Sequence, residues 1–244
     1  MRTAPSSEQL ARRQAALERL AAPARVAWAA REYGAGLTFA CSFGAEDMVV
    51  LDLLLRADPA ASVFLLDTGR LHQETYDLIQ QTRERYGRVF TVYVPQTEAL
   101  QALLDADGPN GFYRSRAARL ACCRVRKVEP LARALAGRAA WLTGLRREQA
   151  VTREALPVIE RDEAHGGIAK INPLADWPAD AVWSYIHEHD LPYNALHERE
   201  FPSIGCAPCT RAVRPGEDAR AGRWWWEAPE HKECGLHPHP SSSS

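Results

Sequence analysis

Short apolar runs rich in β-branched residues alternate with longer amphipathic stretches, and this alternation constrains the fold more than any other feature. GLTFACS (36–42), SVFLLDT (62–68), VFTVYV (89–94) and AAWLTG (139–144) read as buried strands. FGAEDMVVLDLLLRA (43–57) and residues 71–86, 96–104 and 123–136 carry helical spacing between and around them. Strands alternating with helices predict an α/β fold built on a doubly wound, mostly parallel sheet. Ligands of such sheets sit at the carboxyl ends of the strands, which predicts a site built from Ser42–Gly44, Asp67–Arg70 and Thr143–Arg147. Upstream, Leu10, Ala15, Leu17 and Leu20 mark an amphipathic helix over 7–21, Pro23 ends it, and 24–33 forms a second. After about residue 200 the pattern gives way to a loop-rich tail of Gly, Pro, Arg and Trp. The expected organisation is a helical extension at 1–23, an α/β body at 24–215 and a flexible segment at 216–244.

Charge narrows the partners. Thirty basic and 31 acidic residues give a net charge of −1, so no global field draws the chain to nucleic acid or to an anionic membrane. The longest apolar run, MVVLDLLL (48–55), falls short of a bilayer span, and the N-terminus lacks the apolar core of a signal peptide. A cytoplasmic setting is expected, where six cysteines point to metal binding or redox chemistry rather than to a disulfide framework.

The cysteines fall into groups. Cys122 and Cys123 are tandem at the start of an expected helix, Cys206 and Cys209 form CAPC in a Gly/Pro turn, and Cys234 stands alone in KECGLH. Cys41 ends the first strand and reads as a small buried apolar residue. Three readings of the two pairs stay open: an iron–sulfur cluster, a zinc site, or unrelated thiols. Zinc favours two CxxC knuckles, and adjacent helical side chains diverge by about 100°. A cluster presents widely separated iron corners. Arg124, Arg126 and Lys127 follow the first pair, and Arg211, Arg214, Arg220 and Arg223 follow the second. Cations so placed would stabilise an anionic thiolate site and attract an anionic substrate. His165, His187, His189, His197 and His231 show no metal-site spacing and read as surface residues. Trp224–Trp226 read as packing at the base of the tail, with a docking surface for a protein partner as the alternative.

ACSFGAEDM places Ser and Gly where a strand hands over to a helix, a junction that can present backbone N–H groups to an anion. It lacks the Lys-Ser/Thr of a Walker loop. CSFGAED, LDTGRLHQETY, CCRVRKVEPL, TGLRREQ, GCAPCTRAVRPGEDARAGRWWWE and KECGLH occur in the order seen in assimilatory adenylyl-sulfate reductases. The chain therefore resembles the phosphoadenylyl-sulfate reductase family, of adenine-nucleotide α-hydrolase-like fold, from about residue 24 onward.

The resemblance implies roles residue by residue. Cys122, Cys123, Cys206 and Cys209 match the ligands of a [4Fe-4S] cluster, and Cys234 matches the nucleophile that becomes an S-sulfocysteine. Arg126, Lys127, Arg220, Arg223 and His237 match positions that hold the phosphosulfate. Ser42, Phe43, Gly44, Leu66, Thr68 and Gly144 match nucleotide-binding strand ends, although Ser-Phe-Gly is one residue shorter than the Ser-Phe-Ser-Gly of some members. The implied reaction is reduction of adenylyl sulfate to sulfite and AMP in sulfate assimilation. Thioredoxin or glutaredoxin would supply the electrons, since no further free thiol adjoins Cys234 in sequence and the chain ends soon after it with no fused redoxin expected. Family habit implies a homo-oligomer. The alternatives are the 3′-phosphorylated substrate, an iron–sulfur tRNA-thiolating enzyme, against which the net charge speaks, and a zinc-stapled interaction module.

Overall fold

The computed structural model describes residues 7–150, 153–228 and 236. Cys234, His237 and His231 lie outside the described residues. In chain order the elements are α1 (Ser7–Glu18), α2 (Ala22–Tyr33), β1 (Leu37–Ala40), α3 (Ala45–Ala57), β2 (Ser62–Leu66), α4 (Gln73–Tyr86), β3 (Thr91–Tyr93) and α5 (Thr97–Asp107). There follow α6 (Arg116–Cys123), α7 (Glu129–Leu135), β4 (Ala140–Leu142), β5 (Ile159–Asp162), β6 (Ile168–Ile171) and α8 (Ala179–Glu188).

The strands form one six-stranded sheet in the order β3-β2-β1-β4-β6-β5. β1 runs parallel to β2, with Thr38 opposite Ser62, and to β4, with Leu37 opposite Ala140. β4 runs parallel to β6, whereas β5 is antiparallel to β6. The expected doubly wound, mostly parallel sheet is therefore present. β5, β6 and α8 were not anticipated, because IERD and IAKI are short and carry charge. Lys170 sits in buried β6 because its ammonium meets Glu160 at 2.9 Å and lies 5.9 Å from the centre of the Trp141 ring.

Two compact units emerge, one from residues 1–65, 74–91 and 135–195, the other from 66–73, 92–134 and 196–244. In the first, β1, β4 and β6 bury Phe39, Leu142 and Ile171, and α3 buries Met48 through Leu51 together with Leu54. A helix apolar all round belongs inside a layered fold. Arg25 is one of several charged residues buried in this unit. Its buried guanidinium donates to Asp176 (2.5 and 2.7 Å), Leu17 O (3.0 Å) and Pro173 O (2.9 Å), which satisfies the charge and the fork together. His165, expected at the surface, is corrected: its side chain is 8% exposed and meets Asp162 at 2.7 Å, because Asp162 also accepts from the Trp141 indole.

The second unit holds the cysteine pairs. α6 starts at Ser115, whose hydroxyl accepts from Ala118 N at 3.1 Å. The tandem pair ends this helix instead of starting one. Arg124–Val128 then form a π turn, with Glu129 N bonded to Arg124 O, before α7 continues. The wider turn alters the rotation per residue and is common at functional sites. Downstream, residues 209–211 and 222–224 pair back on each other through Arg211 N to Gly222 O (3.0 Å) and Trp224 N to Cys209 O (3.1 Å). Gly222 permits this, since a Cβ there would lie 2.2 Å from Arg211 O.

Candidate functional site

Each unit contributes one set of features. In the first unit, β1 hands over to α3 through Cys41–Gly44. Cys41 is buried as expected, and burial pushes its thiol up. Phe43 adopts φ 61°, a left-handed conformation costly for an aromatic residue, and its ring packs 5.8 Å from Phe90. Its side chain belongs to the core, so only its backbone can face a ligand. Gly44 caps α3 with no side chain of its own, leaving the first N–H groups of the helix as donors.

Asp47 organises this loop, and sequence reasoning missed it. Its carboxylate accepts from Ser42 N at 2.5 Å and Ser42 Oγ at 2.6 Å. The Ser42 donors, expected to face a nucleotide, are engaged inside the loop. Burial raises Asp47 to about 6, against the lowering effect of Ser42 and of the Gly144 backbone. Gly144 must be Gly, because a Cβ there would lie 2.2 Å from Asp47 Oδ1. Arg146 holds Glu46 at 2.9 Å. Thr143 bonds Asn172 at 2.5 Å and Arg147 bonds Glu18 at 2.6 Å, so these two flanking positions are structural.

In the second unit, Leu66 closes β2 and is half-buried. Thr68 is buried, and its hydroxyl lies 3.3 Å from Cys206 Sγ while its carbonyl accepts from Arg126 Nη1 at 2.6 Å. Thr68 thus serves the thiols. Cys122, Cys123, Cys206 and Cys209 line one cavity together with Arg70, Arg119, Arg126, Lys127, Phe112 and Trp224. Sequence reasoning brought together the four thiols, Arg126 and Lys127. It placed Arg70 at a strand-end site rather than beside the thiols, and it missed Arg119 and Phe112.

The thiols interact electrically. Burial pushes Cys209 up to about 12, reinforced by Cys206 and the other pair. Burial also raises Cys122, with Arg126 acting against it. At Cys206 the burial effect is outweighed by Lys127, Thr68 and Arg223, which hold the thiol below its ordinary range. Arg126 Nε is buried without a hydrogen-bond partner among the described residues. No three His, Cys, Asp or Glu side chains among those residues converge as a single metal ion requires. Four thiols around one cationic cavity have the donor chemistry to hold a metal ion or a metal cluster.

Arg220 is half-buried beside the Asp218 turn. Arg223 is buried over the Trp224 ring, and its guanidinium bonds Ser203 Oγ and Ile204 O, both at 3.2 Å. Trp224 is 1% exposed and packs with Phe112, Cys206 and Cys209, whereas Trp225 is 40% exposed.

Fold and site together define an α/β protein with a mostly parallel six-stranded sheet and a cysteine-lined cavity. The chain belongs to the family described as the phosphoadenosine phosphosulfate reductase domain, matched over residues 36–212. It is 56% identical over 201 residues to the adenosine 5′-phosphosulfate reductase of Allochromatium vinosum, covering 82% of this chain and 78% of that one. The Burkholderia cepacia protein of the same name is 54% identical, covering 82% and 79%. Among solved structures, the phosphoadenylyl-sulfate reductase of Candida auris, in complex with phosphate, aligns with a TM-score of 0.75 at 30% identity, covering 87% of this chain and 100% of that one. Yeast FAD synthetase shares the fold at a TM-score of 0.54 and 17% identity, covering 85% and 70%.

Proposed function

We propose that this chain reduces adenylyl sulfate to sulfite and AMP in sulfate assimilation, with electrons from thioredoxin or glutaredoxin. The observation that carries the reading is the cavity where both cysteine pairs meet four cationic side chains, in a chain whose relatives bear that activity in their names.

Cys234 supplies the thiolate. It attacks the sulfur of the sulfuryl group, the S–O bond to phosphate breaks, and AMP leaves with that electron pair. An S-sulfocysteine remains on Cys234. A donor thiolate then attacks Cys234 Sγ and expels sulfite, and the donor's second thiol resolves the mixed disulfide. The dithiol is oxidised to a disulfide as the sulfur falls by two electrons from sulfate to sulfite. Lys127, Arg126 and Arg220 neutralise charge gathering on the leaving phosphate, joined by His237. Phe43 and Gly44 offer backbone donors to the nucleotide, and Gly144 leaves room for the Asp47 carboxylate that holds Ser42 and shapes the loop.

Cys122, Cys123, Cys206 and Cys209 would hold a [4Fe-4S] cluster, which would supply a fixed local charge rather than the electrons. Thr68 and Lys127 orient Cys206. A cytoplasmic setting suits thiol-driven chemistry, and no helix among the described residues is long and apolar enough to cross a membrane. A homo-oligomer completes the reading, and light scattering in solution tests it.

The decisive test is anaerobic incubation with adenylyl sulfate and no thiol donor, then intact mass and peptide mapping. One SO3 on the Cys234 peptide, removed by reduced thioredoxin, is expected. An intact protein that gains no adduct refutes the reading. A second substrate, the 3′-phosphorylated nucleotide, is favoured by the likeness to the Candida auris protein. Comparing kcat/KM on the two nucleotides decides between them.

A further inference from the structure

Arg119 is fully buried and does more than fill space. Its Nε and Nη2 donate to the two carboxylate oxygens of Glu227 at 2.8 and 2.6 Å. Its guanidinium lies 4.8 Å from the centre of the Trp224 ring. It also hydrogen-bonds Cys123 and lines the cysteine cavity. Glu227 is itself 7% exposed, so both charges have left water. A buried ion pair of this kind is often no more stabilising than an apolar pair of the same shape. Its distinctive contribution is directional: a fork held by one carboxylate presents its remaining donor at a fixed place. Arg119 lies four residues before Cys123 on α6, which puts both on one helix face.

We propose that Arg119 is a positioning residue for Cys123, with Glu227 as the clamp that fixes its guanidinium plane, so that one ion pair couples the cysteine cavity to the chain leading to Cys234. The inference rests on the reading of the cavity as a four-thiolate cluster site. Glu227 precedes Cys234 by seven positions, a stretch that spans at most about 25 Å when extended. Coupling of this kind is reciprocal. Releasing Glu227 weakens the hold on the group the thiols bind, and emptying the cavity loosens the backbone at 224–228.

The test uses the full chain isolated without oxygen, as wild type, Glu227→Gln and Arg119→Lys. Iron and sulfide content, the rate of iron release to a chelator, and amide exchange at 224–228 before and after stripping are measured. Loss of a partner that orients a metal ligand weakens metal binding by roughly tenfold or more. Glu227→Gln is therefore expected to keep its far-UV circular dichroism and to release iron at least about tenfold faster. Exchange at 224–228 should quicken on stripping the wild type, and already be fast in Glu227→Gln. A folded Glu227→Gln that releases iron within twofold of wild type overturns the proposal. If Glu227→Gln fails to fold, Arg119→Lys, which keeps the charge and loses the fork, decides by the same rates. If the wild type binds no iron, the cofactor reading fails by itself. The pair is then judged by alkylation of Cys123 in the metal-free protein: several-fold faster in Glu227→Gln supports the clamp, and an unchanged rate overturns it.

Discussion

Gly144→Ala offers a direct probe of the loop that Asp47 organises. The added methyl group would lie 2.2 Å from Asp47 Oδ1, 3.1 Å from Asp47 N and 3.1 Å from Glu46 Cβ. The last two contacts are tight, and the helix start that carries them has little room to move. The first is impossible, so the carboxylate must retreat by about 1 Å to reach ordinary van der Waals distance. It cannot retreat without stretching its bonds to Ser42 N and Ser42 Oγ, now 2.5 and 2.6 Å. Overpacking costs about 1–3 kcal/mol, and each hydrogen bond to a charged acceptor contributes about 1.5–3 kcal/mol. Partial relaxation leaves an expected loss of about 3 kcal/mol, or roughly 6–12 °C in Tm for a chain of this size. In an Asp47→Ala background the worst clash is gone, so the same glycine change should cost only about 1 kcal/mol. Urea unfolding of the four proteins closes the cycle at pH 7.5. Additive losses, or a Gly144→Ala protein as stable as wild type, would refute the argument that Asp47 and Gly144 meet.

Other perturbations test neighbouring links. Because burial raises Asp47 to about 6, the native state holds this proton more tightly than the unfolded chain does. Its contribution is complete below about pH 4 and lost as pH rises through about 6, a difference of roughly 3 kcal/mol. The stability gap between wild type and Asp47→Asn should shift by that amount across this window, and a flat gap would contradict the burial argument. Tyr86 and Tyr185 both donate to the Asp52 carboxylate, at 2.9 and 2.8 Å. Removing either hydroxyl should cost about 1.5–3 kcal/mol in urea unfolding, and removing both more than the sum, since a buried charge then loses its neutral donors. Arg25→Met strips the guanidinium donors from Leu17 O, Pro173 O and Asp176 and should lose about 1.5–3 kcal/mol, part of it recovered by Asp176→Asn, as calorimetry would show.

β1, β2 and β4 were legible in the sequence because burial explains their continuous apolar runs, whereas the similar run at β3 leaves Val89, Val92 and Val94 exposed. β5 and β6 were not, since the charge of Lys170 is answered only across the sheet, by Glu160 and the Trp141 ring. Cys type and spacing marked the two pairs but left open whether they meet, which the family resemblance implied and the shared cavity shows. Neighbouring roles were harder to read. Phe43 and Arg223 matched ligand positions, yet one side chain packs on Phe90 and the other points to Ser203 and Ile204. Backbone conformation decides the first, with φ at 61°, and the absence of a side chain at Gly205 decides the second, since the guanidinium lies where a Cβ would be. Arg119 did leave a signal. It stands four residues before Cys123, as Arg126 stands four after Cys122, and helical spacing alone would have put each cation beside a thiol.

The charge balance of the cavity bears on what those thiols hold. Arg70, Arg119, Arg126 and Lys127 line it, with no carboxylate among the lining residues. Cations crowded into a buried cavity repel one another, Glu227 answers Arg119, and ionised thiols would offset the charge of the rest. Ionising the thiols relieves this only in part. Cys206 is held below its ordinary range by Lys127 and Thr68 against burial, yet Cys209, which meets the same Lys127, is pushed to about 12 by burial and its sister cysteines. Each further thiolate is thus opposed by those already formed. In the function proposed above, a positively charged group held among the four thiolates would screen each from the next. Arg119, held through both carboxylate oxygens of Glu227, is a cation of this lining whose charge is already answered within the protein.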